Sequence, residues 1–216
     1  MDRLRTVIGV DESGKGDFFG PLVIASFVAS DNAAEKLSEM GVRDSKQIAA
    51  KKLLEIDRSL RDEYPCSTVV IGPEKYNQLY SQMKNLNRLL AWGHARAIEN
   101  LLESNRADLA VSDKFGKTEL IEKALMTRGR SVELQQLVRG ESVIQVAAAS
   151  IIARAAFVRQ MERLQARLGM PVPRGAGQQV DQAGRALVGR YGPEILKQVA
   201  KVHFKNYSRV INPVLL

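Results

Sequence analysis

The sequence predicts an α/β fold, in which a mixed five-stranded sheet carries helices on both faces and further helices follow at the C-terminal end. Short apolar runs of strand length alternate with longer segments of helical periodicity, which is typical of such a fold. A glycine-rich turn joins the first two runs and indicates a paired, hairpin-like opening. The first run is apolar almost without interruption, as expected for a strand buried on both faces.

The strands are predicted from these apolar runs and from the residues that end them. The third run ends at Gly72-Pro73, the fourth ends at Asp113, and the fifth alternates apolar with polar residues. The predicted strands are residues 5–12, 20–30, 69–71, 107–112 and 132–138.

The helices are predicted from apolar residues that recur every three or four positions. The first ends at Gly41, and a strong amphipathic pattern runs from Leu86 to Leu101. The helix after the fifth strand begins with small residues, Ala147 to Ser150, which let its backbone pack closely on a sheet. The predicted helices are residues 33–40, 47–62, 85–103, 146–167, 179–190 and 193–201. We expect residues 1–216 to form a single domain whose part from about 170 to 216 is helical.

Composition and charge limit the classes of function. Apolar residues make up 45% and charged residues 26% of the 216 residues, which is ordinary for a globular protein. The apolar runs are too short to span a bilayer, and no signal-peptide core follows the N-terminus. Cys66 is the single cysteine, so we expect neither disulfides nor a cysteine metal site, and a cytoplasmic location. The net charge of +8 favours a polyanionic partner.

Acidic residues end several of the predicted strands. Asp11-Glu12 ends the first predicted strand, and Asp113 ends the fourth. If these strands are parallel neighbours, Asp11 and Asp113 lie at the same carboxyl edge of the sheet. This edge is where α/β sheets bind their ligands. Glu141 follows the fifth strand and can reach the same edge. Because strand side chains alternate between faces, Glu12 joins them only if the strand twists or ends there.

Buried carboxylates need a cation or a proton to compensate their charge. The turn that follows, Gly14-Lys15-Gly16, can offer backbone N–H groups and one positive charge to a phosphate. Metal-binding acids beside a phosphate-binding turn indicate chemistry on a nucleic-acid backbone.

Several motifs are similar to those of one enzyme family. The stretch from Gly9 to Asp17, with Phe19-Gly20-Pro21-Leu22, resembles the opening motif of type 2 ribonucleases H, specifically ribonuclease HIII. Further similar motifs are Asp44-Ser45-Lys46, Leu90 to His94, Gly140-Glu141-Ser142 and Ala200 to Phe204. Glutamate at 141 and lysine at 15 favour ribonuclease HIII over ribonuclease HII.

The resemblance implies a ribonuclease H-like fold and an endonuclease that hydrolyses the RNA strand of RNA–DNA hybrids. It implies a two-metal-ion mechanism that leaves 5′-phosphate and 3′-hydroxyl ends, with two Mg²⁺ or Mn²⁺ ions held by oxygen ligands. The implied catalytic and metal-binding residues are Asp11, Glu12, Asp113 and Glu141. The expected substrate-binding residues are Gly14, Lys15 and Gly16, which would read the 2′-hydroxyl, together with Ser45, Lys46 and Arg174. We expect a monomer that binds an RNA–DNA hybrid or an RNA-containing duplex and no membrane.

One feature departs from the family pattern. Ribonucleases HIII usually carry an N-terminal substrate-binding domain, whereas here the catalytic motif begins near residue 7. Either the sequence is a piece of a longer protein or this member binds its substrate without that domain.

Other interpretations remain open. The activity is either that of ribonuclease HIII, or ribonuclease HII-like cleavage at single embedded ribonucleotides, or that of another nuclease of similar fold such as a junction resolvase. A non-catalytic nucleic-acid-binding module is disfavoured because four acids would repel phosphates. His94 is expected to be a hydrogen-bonded core residue, and His203 either packs or faces the substrate.

Overall fold

The computed structural model describes residues 4–212. Its sheet is formed by β1 (Thr6–Ser13), β2 (Leu22–Ser30), β3 (Cys66–Ile71), β4 (Leu109–Asp113) and β5 (Glu133–Leu137). The strand order is β3-β2-β1-β4-β5. β1 is antiparallel to β2 and parallel to β4, and β4 is parallel to β5. The predicted mixed five-stranded sheet is confirmed, with strand ends within three residues of those predicted.

The helices account for most of the remaining chain. They are α1 (Ala34–Glu39), α2 (Ala50–Glu63), α3 (Pro73–Met83), α4 (Leu86–Leu102), α5 (Glu119–Ala124), α6 (Ile144–Leu168), α7 (Gln178–Tyr191), α8 (Ile195–Val199) and α9 (Lys205–Ile211). The expected C-terminal helices are therefore present. No helix within residues 4–212 is both long enough and apolar enough to cross a membrane.

Hydrophobic periodicity does not predict α3, α5 or α9. Proline in the first turn starts α3; this is a common helix signal, but Gly72-Pro73 also follows directly on the end of β3. α5 and α9 have six and seven residues, which is too short for a helical period to stand out from a loop.

The close packing of α6 on β1 depends on a glycine in the strand. A Cβ atom on Gly9 would lie 2.0 Å from the carbonyl carbon of Gln145 in the first turn of α6, so only glycine allows this approach. Ala147, Ala148 and Ala149 on that helix are at most 1% exposed. The predicted close packing of this helix on the sheet is therefore present at Gly9, and the small residues that follow are buried.

The described chain divides into two compact units. The first comprises residues 4–13, 23–69 and 85–156, and the second comprises residues 14–22, 70–84 and 157–212. The first unit contains the four predicted catalytic acids, whereas the second contains the Gly14-Lys15-Gly16 turn and Arg174. The expectation of a single domain stays a prediction.

Candidate functional site

Two of the predicted acids directly follow the last residues that are paired between the parallel strands β1 and β4 of the first unit. The last paired residues of β1 and β4 are Val10 and Ser112, so Asp11 and Asp113 are the next residue on each strand. Both residues are partly buried. The expected position of these carboxylates at the carboxyl edge of the sheet therefore agrees with the strand register.

A backbone contact fixes the start of the Glu141 segment beside Asp113. The N–H of Gly140 donates to Oδ1 of Asp113 at 3.0 Å. A Cβ atom on Gly140 would lie 2.9 Å from the backbone N and Cα of Asp113, so this approach also requires glycine. Arg139 enters the segment in the left-handed region, at a φ of 58°. Glu141 therefore directly follows a residue whose backbone is in contact with Asp113.

Asp11 and Glu12 are bound by different helices. Asp11 forms a side-chain hydrogen bond with Ser150 of α6. Oε2 of Glu12 lies 3.1 Å from Nε2 of His94 on α4, and the Glu12 side chain is 7% exposed. Successive strand side chains point to opposite faces. The binding of Asp11 to α6 and of Glu12 to α4 agrees with this alternation.

Burial controls the ionisation of Asp11. Desolvation, and after it the neighbouring Glu12 charge, raise the pKa of its carboxyl from 3.8 to about 7, against the opposing effects of the Ser150 hydrogen bond and of His94. A carboxyl in this state is stabilised in its charged form by a nearby cation.

The side chains nevertheless do not form a finished metal cage. Within residues 4–212, no three His, Cys, Asp or Glu side chains lie together closely enough to hold an ion. The register and the Gly140 contact bring the backbones of Asp11, Asp113 and Glu141 to one edge, while Glu12 is bound to His94. Carboxylate oxygens are the ligands that Mg²⁺ and Mn²⁺ prefer, so the donor chemistry fits these ions.

Ser45 and Lys46 have different surroundings. Ser45 is 3% exposed, and its hydroxyl oxygen lies 2.6 Å from that of Ser150, the residue bound to Asp11. Lys46 is exposed, and its N–H donates to Oδ1 of Asp44 at 3.0 Å. Ser45 thus belongs to the hydrogen-bonded surroundings of Asp11, and Lys46 offers its charge to solvent.

The second unit contains the other predicted substrate-binding residues. Gly14 has a φ of +88°, and a Cβ atom there would lie 2.3 Å from the Pro21 carbonyl oxygen and 2.9 Å from the Phe157 ring. A Cβ atom on Gly16 would meet nothing within 4 Å, so this side of the turn is open. Lys15 is partly buried.

Arg174 packs on the same aromatic ring as Gly14. Its guanidinium carbon lies 5.5 Å from the centre of the Phe157 ring. The next residue, Gly175, donates its N–H to Oδ1 of Asp17 at 2.6 Å and accepts from the N–H of Phe18 at 2.9 Å. The structure therefore brings together Arg174 and the glycine turn, which lie far apart in sequence.

Sequence reasoning missed Ser150, Phe157 and Lys201. Ser150 interrupts an apolar helical run, and Lys201 is a charged residue between apolar neighbours. A polar residue in an apolar segment is the sequence feature that could have identified both. His94 is buried and hydrogen bonded as predicted, but its partner Glu12 was not foreseen. His203 packs, since its ring centre lies 4.1 Å from that of Tyr80 in a stacked arrangement.

Comparison with known proteins identifies the family. The family model for ribonuclease HII matches residues 8–207. Ribonuclease HIII of Chlamydia pneumoniae is 43% identical over 96% of this chain and 70% of that protein, and ribonuclease HIII of Protochlamydia amoebophila is 39% identical over 96% and 69%. The crystal structure of Bst-RNase HIII in complex with Mn²⁺ matches with a TM-score of 0.88 at 31% identity, over 96% of this chain and 69% of that one. The chain therefore belongs to the ribonuclease HII family and, within it, to the ribonuclease HIII enzymes.

Proposed function

We propose that this ribonuclease HIII cleaves the RNA strand of RNA–DNA hybrids endonucleolytically, leaving 5′-phosphate and 3′-hydroxyl ends. The observation that carries the proposal is the parallel register of β1 and β4, which aligns Asp11 with Asp113, with Glu141 attached through Gly140. Carboxylates at a sheet edge repel the phosphates of a nucleic acid unless cations neutralise their charge.

Asp11, Glu12, Asp113 and Glu141 would hold two divalent ions, Mg²⁺ or Mn²⁺. The raised pKa of Asp11 supports this assignment, because burial and the Glu12 charge make an adjacent cation favourable. The Mn²⁺ complex of Bst-RNase HIII also supports it. When held by these four acids, two such ions would supply positive charge for activation of the attacking water and for stabilisation of the leaving 3′ oxygen.

The residues of the chain have distinct tasks in this proposal. Ser150 and His94 orient the Asp11 and Glu12 carboxylates, and Gly140 orients that of Asp113. Gly14 and Gly16 leave the backbone of their turn accessible to the 2′-hydroxyl of the RNA strand. Lys15, Lys46 and Arg174 supply charge for phosphates, which gives salt-dependent binding without sequence preference.

A substrate panel tests the activity. We expect Mg²⁺- or Mn²⁺-dependent cleavage of hybrids with long runs of consecutive ribonucleotides, and ends that accept ligation as 5′-phosphates. Duplex DNA and four-way junctions should stay intact. Preferred cleavage at a single embedded ribonucleotide would indicate ribonuclease HII-like specificity, and cleavage of junctions alone would contradict the proposal.

Substitution of an acid tests the site itself. Asp113→Asn keeps the size of the side chain and its hydrogen bond from Gly140 while removing the charge. We expect hybrid cleavage to fall by about 10²–10³-fold or more, with the melting temperature preserved, because charge stabilisation at the reacting phosphate is lost. The matched control is Asp62→Asn on the exposed side of α2, which should cleave like the wild type. Full activity of Asp113→Asn would refute the assignment.

A further inference from the structure

A fully buried lysine lies in the segment between α8 and α9. Lys201 is 0% exposed, and its Nζ donates to the carbonyl oxygens of Asp17 at 2.7 Å and Gly20 at 2.8 Å. The Phe19 carbonyl oxygen lies 3.5 Å away, and the backbone N–H of Lys201 donates to the Phe18 carbonyl at 2.8 Å. Lys201 thus contacts four consecutive residues, 17–20, at the end of one loop.

A buried ammonium is costly, so its surroundings must compensate for lost water. Desolvation lowers the pKa of Lys201 to about 7, and the Asp17 carboxylate acts in the opposite direction. The carbonyl oxygens and the Tyr76 ring, whose centre lies 5.6 Å from Nζ, replace part of the hydration shell. A residue placed only to fill this space would not need a charge, since an apolar side chain fits without the desolvation cost.

The segment that carries Lys201 is itself held in place. Nδ2 of Asn77 donates to the Ala200 carbonyl at 2.9 Å, and Oδ1 of Asn77 accepts from the Val202 N–H at 3.0 Å. The N–H of Gly20 donates to the Val199 carbonyl at 2.9 Å. The backbone on both sides of Lys201 is therefore fixed by hydrogen bonds, and the Lys201 side chain extends from it to residues 17–20.

The carbonyls that Lys201 binds continue directly from the glycine turn. The Asp17 N–H donates to the Gly14 carbonyl at 3.3 Å and closes the turn that contains Lys15 and Gly16. Asp17 is thus both the last residue of the turn and the first residue held by the Lys201 ammonium. Displacement of the Asp17 peptide would move Lys15 and Gly16 as well.

We propose that Lys201 is a positioning residue for the substrate loop, residues 14–20, and that its ammonium holds the Asp17 and Gly20 carbonyls so that the Gly14-Lys15-Gly16 turn keeps its hybrid-binding conformation. The proposal rests on the proposed function of that turn. Lys201 itself is buried and does not touch the substrate.

Lys201→Met tests this role because it keeps the length of the side chain and removes its charge. The matched control is Lys197→Met on α8, where the ammonium is exposed and pairs with Glu194. We expect Lys201→Met to raise the KM for an RNA–DNA hybrid about tenfold with kcat changed less than threefold, and Lys197→Met to change neither. Amide hydrogen exchange without substrate should become at least tenfold faster across residues 14–20 in Lys201→Met.

A double-mutant cycle separates positioning from general stability. If Lys201 acts through the turn, Lys15→Ala should raise KM much less in the Lys201→Met background than in the wild type. Additive effects, an unchanged exchange rate in residues 14–20, or a loss confined to kcat would each overturn the proposal. If Lys201→Met does not fold, Asn77→Ala loosens the base of Lys201 with its charge retained, and the same exchange and KM criteria apply.

The exchange measurement keeps the two proposals distinguishable. A wild-type protein that neither binds nor cleaves hybrids would refute the proposed function. Faster exchange in residues 14–20 of Lys201→Met would still establish that the ammonium holds the loop.

Discussion

Gly9 has too little room for a Cβ atom, which makes Gly9→Ala the most informative substitution. The added Cβ atom would lie 2.0 Å from the carbonyl carbon of Gln145, 2.2 Å from its oxygen and 2.3 Å from the Val146 nitrogen. All three atoms belong to the backbone of α6, so no side-chain rotation relieves the clash. Either α6 moves away from β1 or the strand bends.

The size of the effect follows from the geometry. Ordinary van der Waals contact begins at 3.4 Å, so the two backbones must separate by about 1.4 Å. Overpacking of a core costs about 1–3 kcal/mol, and a rigid backbone neighbour places Gly9→Ala near the upper value. The same shift separates Asp11 from Ser150, and a displacement of about 1 Å at a reacting group costs about 10²-fold in rate.

Urea unfolding and hybrid cleavage measure the two consequences. We expect Gly9→Ala to unfold at lower urea concentration and to lose most of its kcat at a temperature where it remains folded. The control is Gly189→Ala in α7, where an added Cβ meets nothing within 4 Å and helix propensity favours alanine by up to about 1 kcal/mol. Gly9→Ala with wild-type stability and kcat would refute the reasoning.

Two further predictions concern histidines. His94→Ala removes the hydrogen bond to the nearly buried Glu12 carboxylate; we expect a loss of about 2–3 kcal/mol in the free energy of unfolding, measured in urea, and a lower cleavage rate. Partial recovery of both in His94→Gln is expected because it keeps a donor, and an unaltered rate in His94→Ala would contradict the role. Burial and the Lys201 charge lower the pKa of His203 from 6.5 to about 4, so between these values the unfolded chain binds a proton that the folded protein does not, and stability falls as pH falls through this range. After allowance for the partial exposure of His203, we expect the free energy of unfolding of the wild type to fall by about 1–2 kcal/mol more than that of His203→Phe between pH 7.5 and 4.5. Urea unfolding at each pH measures this difference. Parallel curves of unfolding free energy against pH for the two proteins would contradict the prediction.

The sheet and its acidic edge are predictable because the causes are local. A nearly continuous apolar run specifies a central strand, and the first charged residue after the run marks the end of its buried part, although β1 itself continues to Ser13. Asp11 and Asp113 each occupy that position, so their alignment requires only that the two strands be parallel neighbours. The same reasoning fails for α5 and α9, since six or seven residues contain too few turns for a period.

The contacts that orient the functional groups were not predictable, because they join residues far apart in sequence. Glu12 and His94 are 82 residues apart, and Lys201 lies 184 residues after Asp17, whose carbonyl it binds. Periodicity indicates that His94 and Lys201 lie among apolar residues. It carries no information on which polar atom meets them.

The pair Asp11-Glu12 illustrates why the geometry of the site depends on tertiary packing. Strand alternation alone directs the two carboxylates to opposite faces of the sheet. The hydrogen-bond partner of Asp11 is Ser150 on α6, and that of Glu12 is His94 on α4. Because Gly9 sets the distance between β1 and α6, it also sets the reach of Asp11 to Ser150, whereas Glu12 depends on α4. The two acids therefore depend on different packing contacts, Asp11 on the spacing that Gly9 sets and Glu12 on His94. Their charges are nevertheless coupled, because Glu12 raises the pKa of Asp11 and His94 lowers it. We therefore expect the effects of Gly9→Ala and His94→Ala on cleavage to be non-additive in the double variant, and strictly additive effects would contradict this coupling.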